Sequence, residues 1–260
     1  MCAWNSVPES SKGEAVVIDL HNHLVRYVVK LPVHATEPDM EVAVQMARIA
    51  EADGIRTIVS TPHFRPDRMG DEAARMYDLL HSAVETLNAE LQHRGVEIEV
   101  LTGAEVAMSE MLPELADRKL LPTIAGTRHV LIELPQTTYA PWAEDMLFKL
   151  QLKGYTPVIA HFERLADAPV KHVDPSILRE RGIKIQVNCE SLMGKRGRNV
   201  QDLAQRLLRE DLASGLGTDA HDPENSPPLL TPCRPMVDRV AGRGTFDLLT
   251  THSAAEIIRR

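Results

Sequence analysis

Short apolar runs alternate with amphipathic stretches along the chain from Ala15 onward. The runs are Ala15–Leu20, Ile55–Ser60, Val96–Leu101, His129–Leu134, Tyr155–Ala160, Ile183–Val187 and Leu212–Leu216. They are near-continuous and rich in Val and Ile, the pattern of strands covered on both faces of a parallel sheet. Between them, Ala43, Met46, Ala47 and Ala50 fall at i, i+3, i+4 and i+7, and Gly54 follows as a stop. Asp71 to Gln92 is long and rich in Ala, Leu and Glu. Trp142, Met146 and Leu150 mark one face of a helix beginning near Pro141 and stopping at Gly154, and Asn199 to Glu210 carries Leu203, Leu207 and Leu208. These stripes read as packing faces. Strands alternating with helices predict βαβ units and an α/β fold with a parallel sheet. Seven strand candidates predict a barrel-like closure, with an open doubly wound sheet as the alternative. Asn225–Pro235 reads as a loop before C-terminal helices. Residues 15–260 are expected to form one domain behind a polar tail at residues 1–14.

Composition narrows the function classes. The 260 residues include 29 Lys and Arg against 37 Asp and Glu, a formal charge of −8. That balance argues against a general nucleic-acid binder, which needs clustered cations for phosphate contacts. No apolar run approaches the roughly 20 residues of a bilayer span. Met1 to Glu14 lacks a basic start and an apolar core, so no signal peptide is expected. Cys2, Cys189 and Cys233 are too few and too scattered for a disulfide framework, which makes a reducing cytoplasm the default location. Aromatics are only 4% of the chain, yet there are 11 His, and where these sit changes the picture.

Many fall at strand ends. The first run leads into Asp19-Leu20-His21-Asn22-His23, the second into Thr61-Pro62-His63 and the third into Gly103-Ala104-Glu105. The fourth carries Glu133, the fifth ends in Ala160-His161-Phe162-Glu163-Arg164, and the seventh in Thr218-Asp219-Ala220-His221. The C-terminal ends of parallel barrel strands share one face, and chemistry sits there. His21, His23, His63, Glu105, Glu133, His161, Asp219 and His221 can therefore converge. Imidazole and carboxylate without thiolate suit Zn²⁺, Mn²⁺ or Fe²⁺ in an open catalytic site. Eight such groups exceed the needs of one ion, so two or three ions are expected. A single strand-end His is ordinarily structural, and the recurrence at six of the seven strand ends carries the reading. His81, His93, His129, His172 and His252 are placed on helical or loop stretches and read as surface or satisfied residues.

The order His-x-His, Thr-Pro-His, Gly-Ala-Glu, Ile-Glu-Leu-Pro, Ala-His-x-Glu-Arg and Asp-x-His resembles the PHP (polymerase and histidinol phosphatase) superfamily. More closely, it resembles the CpsB/CapC/YwqE group of bacterial manganese-dependent tyrosine-protein phosphatases. The stretch Leu150 to Arg164 is the most specific, supported by Val187-Asn188 and Ser191 to Lys195. The likeness covers roughly Val17 to Ser226, and His252–Ile258 resembles the closing helix of the family. It implies a distorted (β/α)7 barrel of the PHP type with a cluster of two or three ions, Mn²⁺ first and Fe or Zn as alternatives. It places His21, His23, His63, Glu105, Glu133, His161, Asp219 and His221 on metal ligands, and Arg164 on an arginine that contacts the substrate phosphate. The implied substrate is a phosphorylated protein bearing phosphotyrosine, in the setting of polysaccharide biosynthesis regulation, with a small phosphate ester as the alternative. Two features depart from the family pattern. Its Asp-Asp-Gly turn is absent: Val25 to Pro38 is longer and has no Asp, and His34 is a candidate replacement read in preference as a solvated loop residue. Its arginine shortly after the last motif is also absent, since Asp222 to Pro228 contains none.

The chemistry expected is phosphomonoester hydrolysis by hydroxide formed at neutral pH, because a metal ion lowers the pKa of water from 15.7 toward about 7. Asp219 or His221 could also protonate the leaving oxygen, a role that spacing does not separate from ligation. Lys195, Arg196 and Arg198 form a basic stretch read as a solvated loop. Cys233 and Arg239 satisfy the Cys-x5-Arg pattern of thiolate phosphatases, but the segment has no Gly and no preceding strand, so the match is read as chance. An amidohydrolase also opens with His-x-His but ordinarily needs a bridging Lys where this chain offers Glu105. A metal-binding regulator without catalysis is the rival from another class.

Overall fold

The computed structural model describes residues 16–31, 37–69, 72–135, 142–168 and 173–259. The polar tail, His34 and His172 lie outside the described residues. Among the described residues nine short strands pair in parallel throughout: β1 (Val17–Asn22), β2 (Ile55–Ser60), β3 (His63–Phe64), β4 (Glu99–Thr102), β5 (Glu105–Ala107), β6 (His129–Glu133), β7 (Thr156–Ile159), β8 (Lys184–Asn188) and β9 (Gly215–Gly217). They form two sheets, ordered β1-β2-β4 and β3-β5-β6-β7-β8-β9. Two of the seven expected strands are split. Thr61-Pro62 separates β2 from β3, where proline has no N–H to continue the ladder. Gly103-Ala104 separates β4 from β5, and Glu105 N–H donates to the carbonyls of Thr61 and Pro62 at 3.3 and 3.1 Å. The registers Ser60 with Thr102 and His63 with Glu105 carry the curl across the break. The ends of the curled sheet meet where Asn22 bridges Ala220 in parallel, with Asp219 N–H donating to His21 O at 2.7 Å and His23 N–H to Ala220 O at 3.0 Å.

Helices cover the outside. The helix Met40–Ala52 starts on Asp39, whose carboxylate accepts from the N–H groups of Glu41 and Val42. It buries Ala43, Met46, Ala47 and Ala50, the face that the spacing predicts. Glu72–His93, Trp142–Leu152 and Arg198–Arg209 likewise match the predicted helices within a few residues. Their apolar stripes and the outward sides of the strands make the larger core. A second core fills the inside of the curl: Ile18, Leu20, Val59, Leu131, Val158 and Ala160 meet Ala254 and Ile257 of the helix His252–Ile258. That helix closes the end of the curl away from the clustered histidines. Among the described residues no helix is long and apolar enough to cross a membrane.

Two expectations are corrected. His129 is not on a helix or loop: as the run His129–Leu134 implies, it opens β6, is buried, and lies within hydrogen-bond range of the Thr127 hydroxyl through Nδ1. Burial, followed by the charge of Lys184, pushes its pKa down to about 4. Cys189 and Cys233 are far apart in sequence but not in space. Their sulfurs are in bonding contact and their Cα atoms are 5.5 Å apart, which joins the end of β8 to the start of the helix Arg234–Ala241.

Asp19 ties the first strand to the last. It is fully buried and accepts from Thr218 N–H at 2.9 Å, Thr218 Oγ1 at 2.6 Å, Asn22 Nδ2 at 3.0 Å and His21 N–H at 3.2 Å. The neighbouring Gly217 has no room for a side chain, since a Cβ there would lie 2.6 Å from His21 Cβ and 2.7 Å from Gln186 Nε2. Removing the Asp19 acceptor leaves several buried donors unpaired, at about 1–3 kcal/mol for each group that finds no substitute. Asp19→Ala is expected to lose roughly 3 kcal/mol of stability in urea unfolding, with Asp19→Asn closer to wild type.

Candidate metal centre

Each of the eight strand-end residues arrives at the same face. His21 lies on β1 and His23 just beyond it; His63 and Glu105 open β3 and β5, and Glu133 ends β6. His161 and Asp219 stand two residues past the ends of β7 and β9, and both have left-handed backbone, with φ of 32° and 53°. Non-glycine residues held there carry strain of order 1–3 kcal/mol, which persists only where the surroundings impose it. Here the turn aims both side chains back across the strand ends.

Three sets of ligand atoms result, each gathered within 4.8 Å: His21, His23, Glu105 and Asp219; His23, His63 and His221; and Glu105, Glu133 and His161. His23 and Glu105 are shared, so the sets form one continuous cluster. His21 Nε2 and His23 Nε2 face each other at 3.1 Å. Glu105 Oε2 lies 3.4 Å from both, and Asp219 Oδ1 lies 3.4 and 3.0 Å from them. Asp219 Oδ1 is nevertheless a buried oxygen without a hydrogen-bond partner among the described residues. Glu105 Oε1 pairs with His161 Nε2 at 2.6 Å, so the Asp219 oxygen is the acceptor left over, and an unpartnered buried carboxylate oxygen among imidazole nitrogens fits a divalent cation. The absence of thiolate from the set leaves Mn, Fe and Zn compatible.

The sequence reading missed the residues that orient these ligands. They come from β8, the one of the seven expected strands whose end offers no candidate ligand. Gln186 Oε1 accepts from His161 N–H at 3.0 Å and faces His21 Nδ1 at 3.1 Å. A backbone N–H can only donate, so the Gln186 atom there is oxygen and His21 Nδ1 must carry the proton. Nε2 is thereby left as the nitrogen available to a metal ion. Gln186 Nε2 donates to Asn188 Oδ1 at 2.8 Å, and Asn188 Nδ2 donates to Asp219 Oδ2 at 3.1 Å. Buried Glu163 accepts from Asn188 N–H at 3.0 Å and so sets the end of β8 without entering the cluster. The signal available in sequence was Gln186 and Asn188 in an otherwise apolar strand. Arg164 Nη2 donates to Asp219 Oδ2, while its buried Nε has no partner among the described residues. His221 Nδ1 donates to the Asp219 carbonyl at 2.7 Å, leaving Nε2 toward the cluster.

The electrostatics follow from burial. Burial disfavours charge on Glu105 and Asp219, yet the facing histidines hold both well below the usual carboxylate range, with Arg164 adding to the effect at Asp219. Burial opposes charge on His21, and Asp219 followed by Glu105 outweighs it, pushing the imidazole up to about 9. His63 is pushed down to about 4 by burial, against the pull of Glu105. Glu133 is raised by burial and by the charge of Glu105. Two ionised carboxylates are thus held where water is excluded, and a divalent ion would supply their compensation in place of the proton on His21.

The other candidates fall elsewhere. Cys233 is buried with its sulfur against that of Cys189, and Arg239 Nη2 points to Met236 Sδ at 2.9 Å, so no anion cradle forms between them. Lys195 and Arg196 pair with Glu190 in a surface turn. Gln186→Leu keeps the side-chain volume but releases His21 and His161. It is expected to weaken divalent-metal affinity about 10–100-fold with the fold retained, measured by competition with a fluorescent chelator.

The comparisons with known proteins agree with this geometry. The family model described as capsular polysaccharide synthesis, CpsB/CapC, matches residues 17–259. The tyrosine-protein phosphatase YwqE of Bacillus subtilis is 34% identical over 210 residues, covering 79% of this chain and 78% of that protein. The putative tyrosine-protein phosphatase CapC of Staphylococcus aureus is 28% identical over 215 residues, covering 82% and 80%. The solved structures of YwqE from Bacillus subtilis and CpsB from Streptococcus pneumoniae, described as metal-dependent tyrosine phosphatases, include a chain that superposes with a TM-score of 0.79 at 27% identity, covering 93% of this chain and 94% of that one. With nearly its whole described length inside the family model, and with the strand-end cluster in place, this chain belongs to the CpsB/CapC family.

Proposed function

We propose that this chain is a metal-dependent phosphomonoester hydrolase acting on phosphotyrosine in proteins. The observation that carries the reading is the sharing of His23 and Glu105 among three ligand sets, which suits two or three neighbouring ions. Mn²⁺ is the first choice for them, and His21, His23, His63, Glu105, Glu133, His161, Asp219 and His221 are the proposed ligands. The meeting of Asn22 with Ala220 supports reading the curl as a distorted (β/α)7 barrel, with β2 and β3 counted once and β4 and β5 counted once. Bound divalent ions would lower the pKa of water and neutralise charge on phosphate oxygens.

The protein side chains divide the remaining work. Gln186 and the His221 contact with the Asp219 carbonyl fix tautomers, so the imidazoles need no rearrangement to present Nε2. Arg164 offers a planar fork of donors for phosphate while its Nη2 holds Asp219 in place. Asp219 is buried and held ionised, which suits ligation and not proton donation. His221, partly exposed beside it, can serve either as a ligand through Nε2 or as the proton donor to the leaving oxygen, not as both at once, since its Nδ1–H is committed to the Asp219 carbonyl. The absence of arginine between Asp222 and Pro228 favours a second substrate class, a small phosphorylated metabolite, for the same chemistry.

Chelation is expected to abolish hydrolysis of p-nitrophenyl phosphate, and Mn²⁺ to restore it, while Cys233→Ser stays near wild-type activity. Full turnover in a thoroughly metal-free preparation would exclude the proposal, and a folded but inactive Cys233→Ser would favour thiolate chemistry. Arg164→Ala should lower kcat/KM about tenfold to a hundredfold, the value of a charged hydrogen bond to phosphate. Steady-state kinetics beside metal content reads this: unchanged kinetics would remove Arg164 from substrate binding, and parallel loss of metal would make it structural.

A further inference from the structure

Among the described residues two arginines pair with carboxylates of the cluster. Arg164 pairs with Asp219, deep in the site. The other, Arg65, plays no part in the assignments above, and lies with Nη2 3.6 Å from Glu133 Oε2. That separation is beyond hydrogen-bond range, and among the described residues the Arg65 guanidinium makes no directed hydrogen bond. It is held by charge, with its fork of donors uncommitted.

Its position is set by the fold. Phe64, the residue before it, is fully buried and sits opposite Val106 of β5. Pro66 follows, which restricts Arg65 to extended backbone, and opens the short helix Pro66–Met69. Asp67 of that helix accepts a hydrogen bond from Ser109 Oγ, anchoring the segment to the chain beyond β5. The side chain therefore leaves a fixed platform two residues from a proposed ligand.

Exposure marks the open side of the cluster. The side chains of His21 and His23 are 0% exposed, Glu105 2% and Asp219 3%, whereas Glu133 is 19%, His63 24%, His221 30% and Arg65 33% exposed. Arg65 stands on this open side. The carboxylates that the two arginines meet belong to different ligand sets joined through Glu105, so the two guanidinium groups reach the cluster at separate points. A phosphomonoester near neutral pH carries nearly two negative charges and three non-bridging oxygens, more than one guanidinium already engaged with Asp219 can satisfy.

On the phosphatase reading given above, we propose that Arg65 is a second phosphate-binding residue, donating to the non-bridging oxygens from the open side of the cluster. It would take the place of the cation missing between Asp222 and Pro228. Engagement of Glu133 by a metal ion would weaken its hold on Arg65 and turn the guanidinium toward the anion.

The test uses the Mn²⁺-loaded full chain as wild type, Arg65→Ala and Arg65→Lys, with inorganic phosphate as the probe. Binding is read by calorimetry and by competitive inhibition of p-nitrophenyl phosphate hydrolysis, and metal content is read in parallel. Arg65→Ala should weaken phosphate binding and raise KM about tenfold to a hundredfold with metal content unchanged, and Arg65→Lys should recover part of the loss. Unchanged phosphate affinity in fully loaded Arg65→Ala would overturn the proposal. So would loss of metal with normal affinity per loaded site, which would make Arg65 a tether for Glu133. If wild type binds phosphate without hydrolysing the ester, the phosphatase reading fails, and the calorimetric comparison still decides the role of Arg65.

Discussion

Two buried carboxylates, Glu105 and Asp219, set the terms for this protein. Both face the imidazoles of His21 and His23 at 3.0 to 3.4 Å in a site that water barely reaches. Buried anions this close need a cation between them, because the cost of desolvating each is several kcal/mol. The chain's own answer is a proton on His21, and a divalent ion is the better one: it accepts lone pairs from several directions, whereas a proton serves a single pair. The oriented tautomers, the strained backbone at His161 and Asp219, and the network through Gln186 and Asn188 follow from keeping those acceptors aimed at one place.

The parallel sheet makes this possible at low cost to the rest of the fold. Strand ends bring together side chains from His21 to His221 without demanding anything of the outer helices. The inside of the curl and its far end are filled by aliphatic residues, including Ile18, Leu131 and Ile257. The site is therefore floored by a rigid apolar core and opens on the other side, where His63, His221, Glu133 and Arg65 are partly exposed. Closure is local: Asp19 with Thr218, and Gly217 against His21, bring the last strand to the first at the level of the ligands.

Much of this was legible in the sequence because it depends on period and position. Seven apolar runs mark the strands, and polar residues that interrupt them at their ends mark the site. What was not legible depends on three-dimensional neighbours. Gln186 looks like one polar residue in a strand, and only the His21 ring beside it gives it a role. Arg65 carries no spacing signal, since its meaning comes from Glu133 on another strand. Cys189 and Cys233 are scattered in sequence and adjacent in space, a relation that counting cysteines does not reveal. His129 reads both as the head of an apolar run and as a loop histidine, and its burial at the start of β6 decides between the two. The splits after Ser60 and Thr102 arise from Pro62 and from the close approach at Gly103, where a Cβ would lie 2.9 Å from Val59 Cγ1, and both leave the apolar pattern intact.

The central claim, that the shared cluster is a multinuclear metal centre, is tested most directly by diffraction from Mn²⁺-loaded crystals above and below the manganese absorption edge. The account predicts at least two anomalous peaks, one among His21, His23, Glu105 and Asp219 and another within a neighbouring set that shares His23 or Glu105. A map with no peak inside the cluster, with the imidazole and carboxylate groups bonded only to one another, would contradict it.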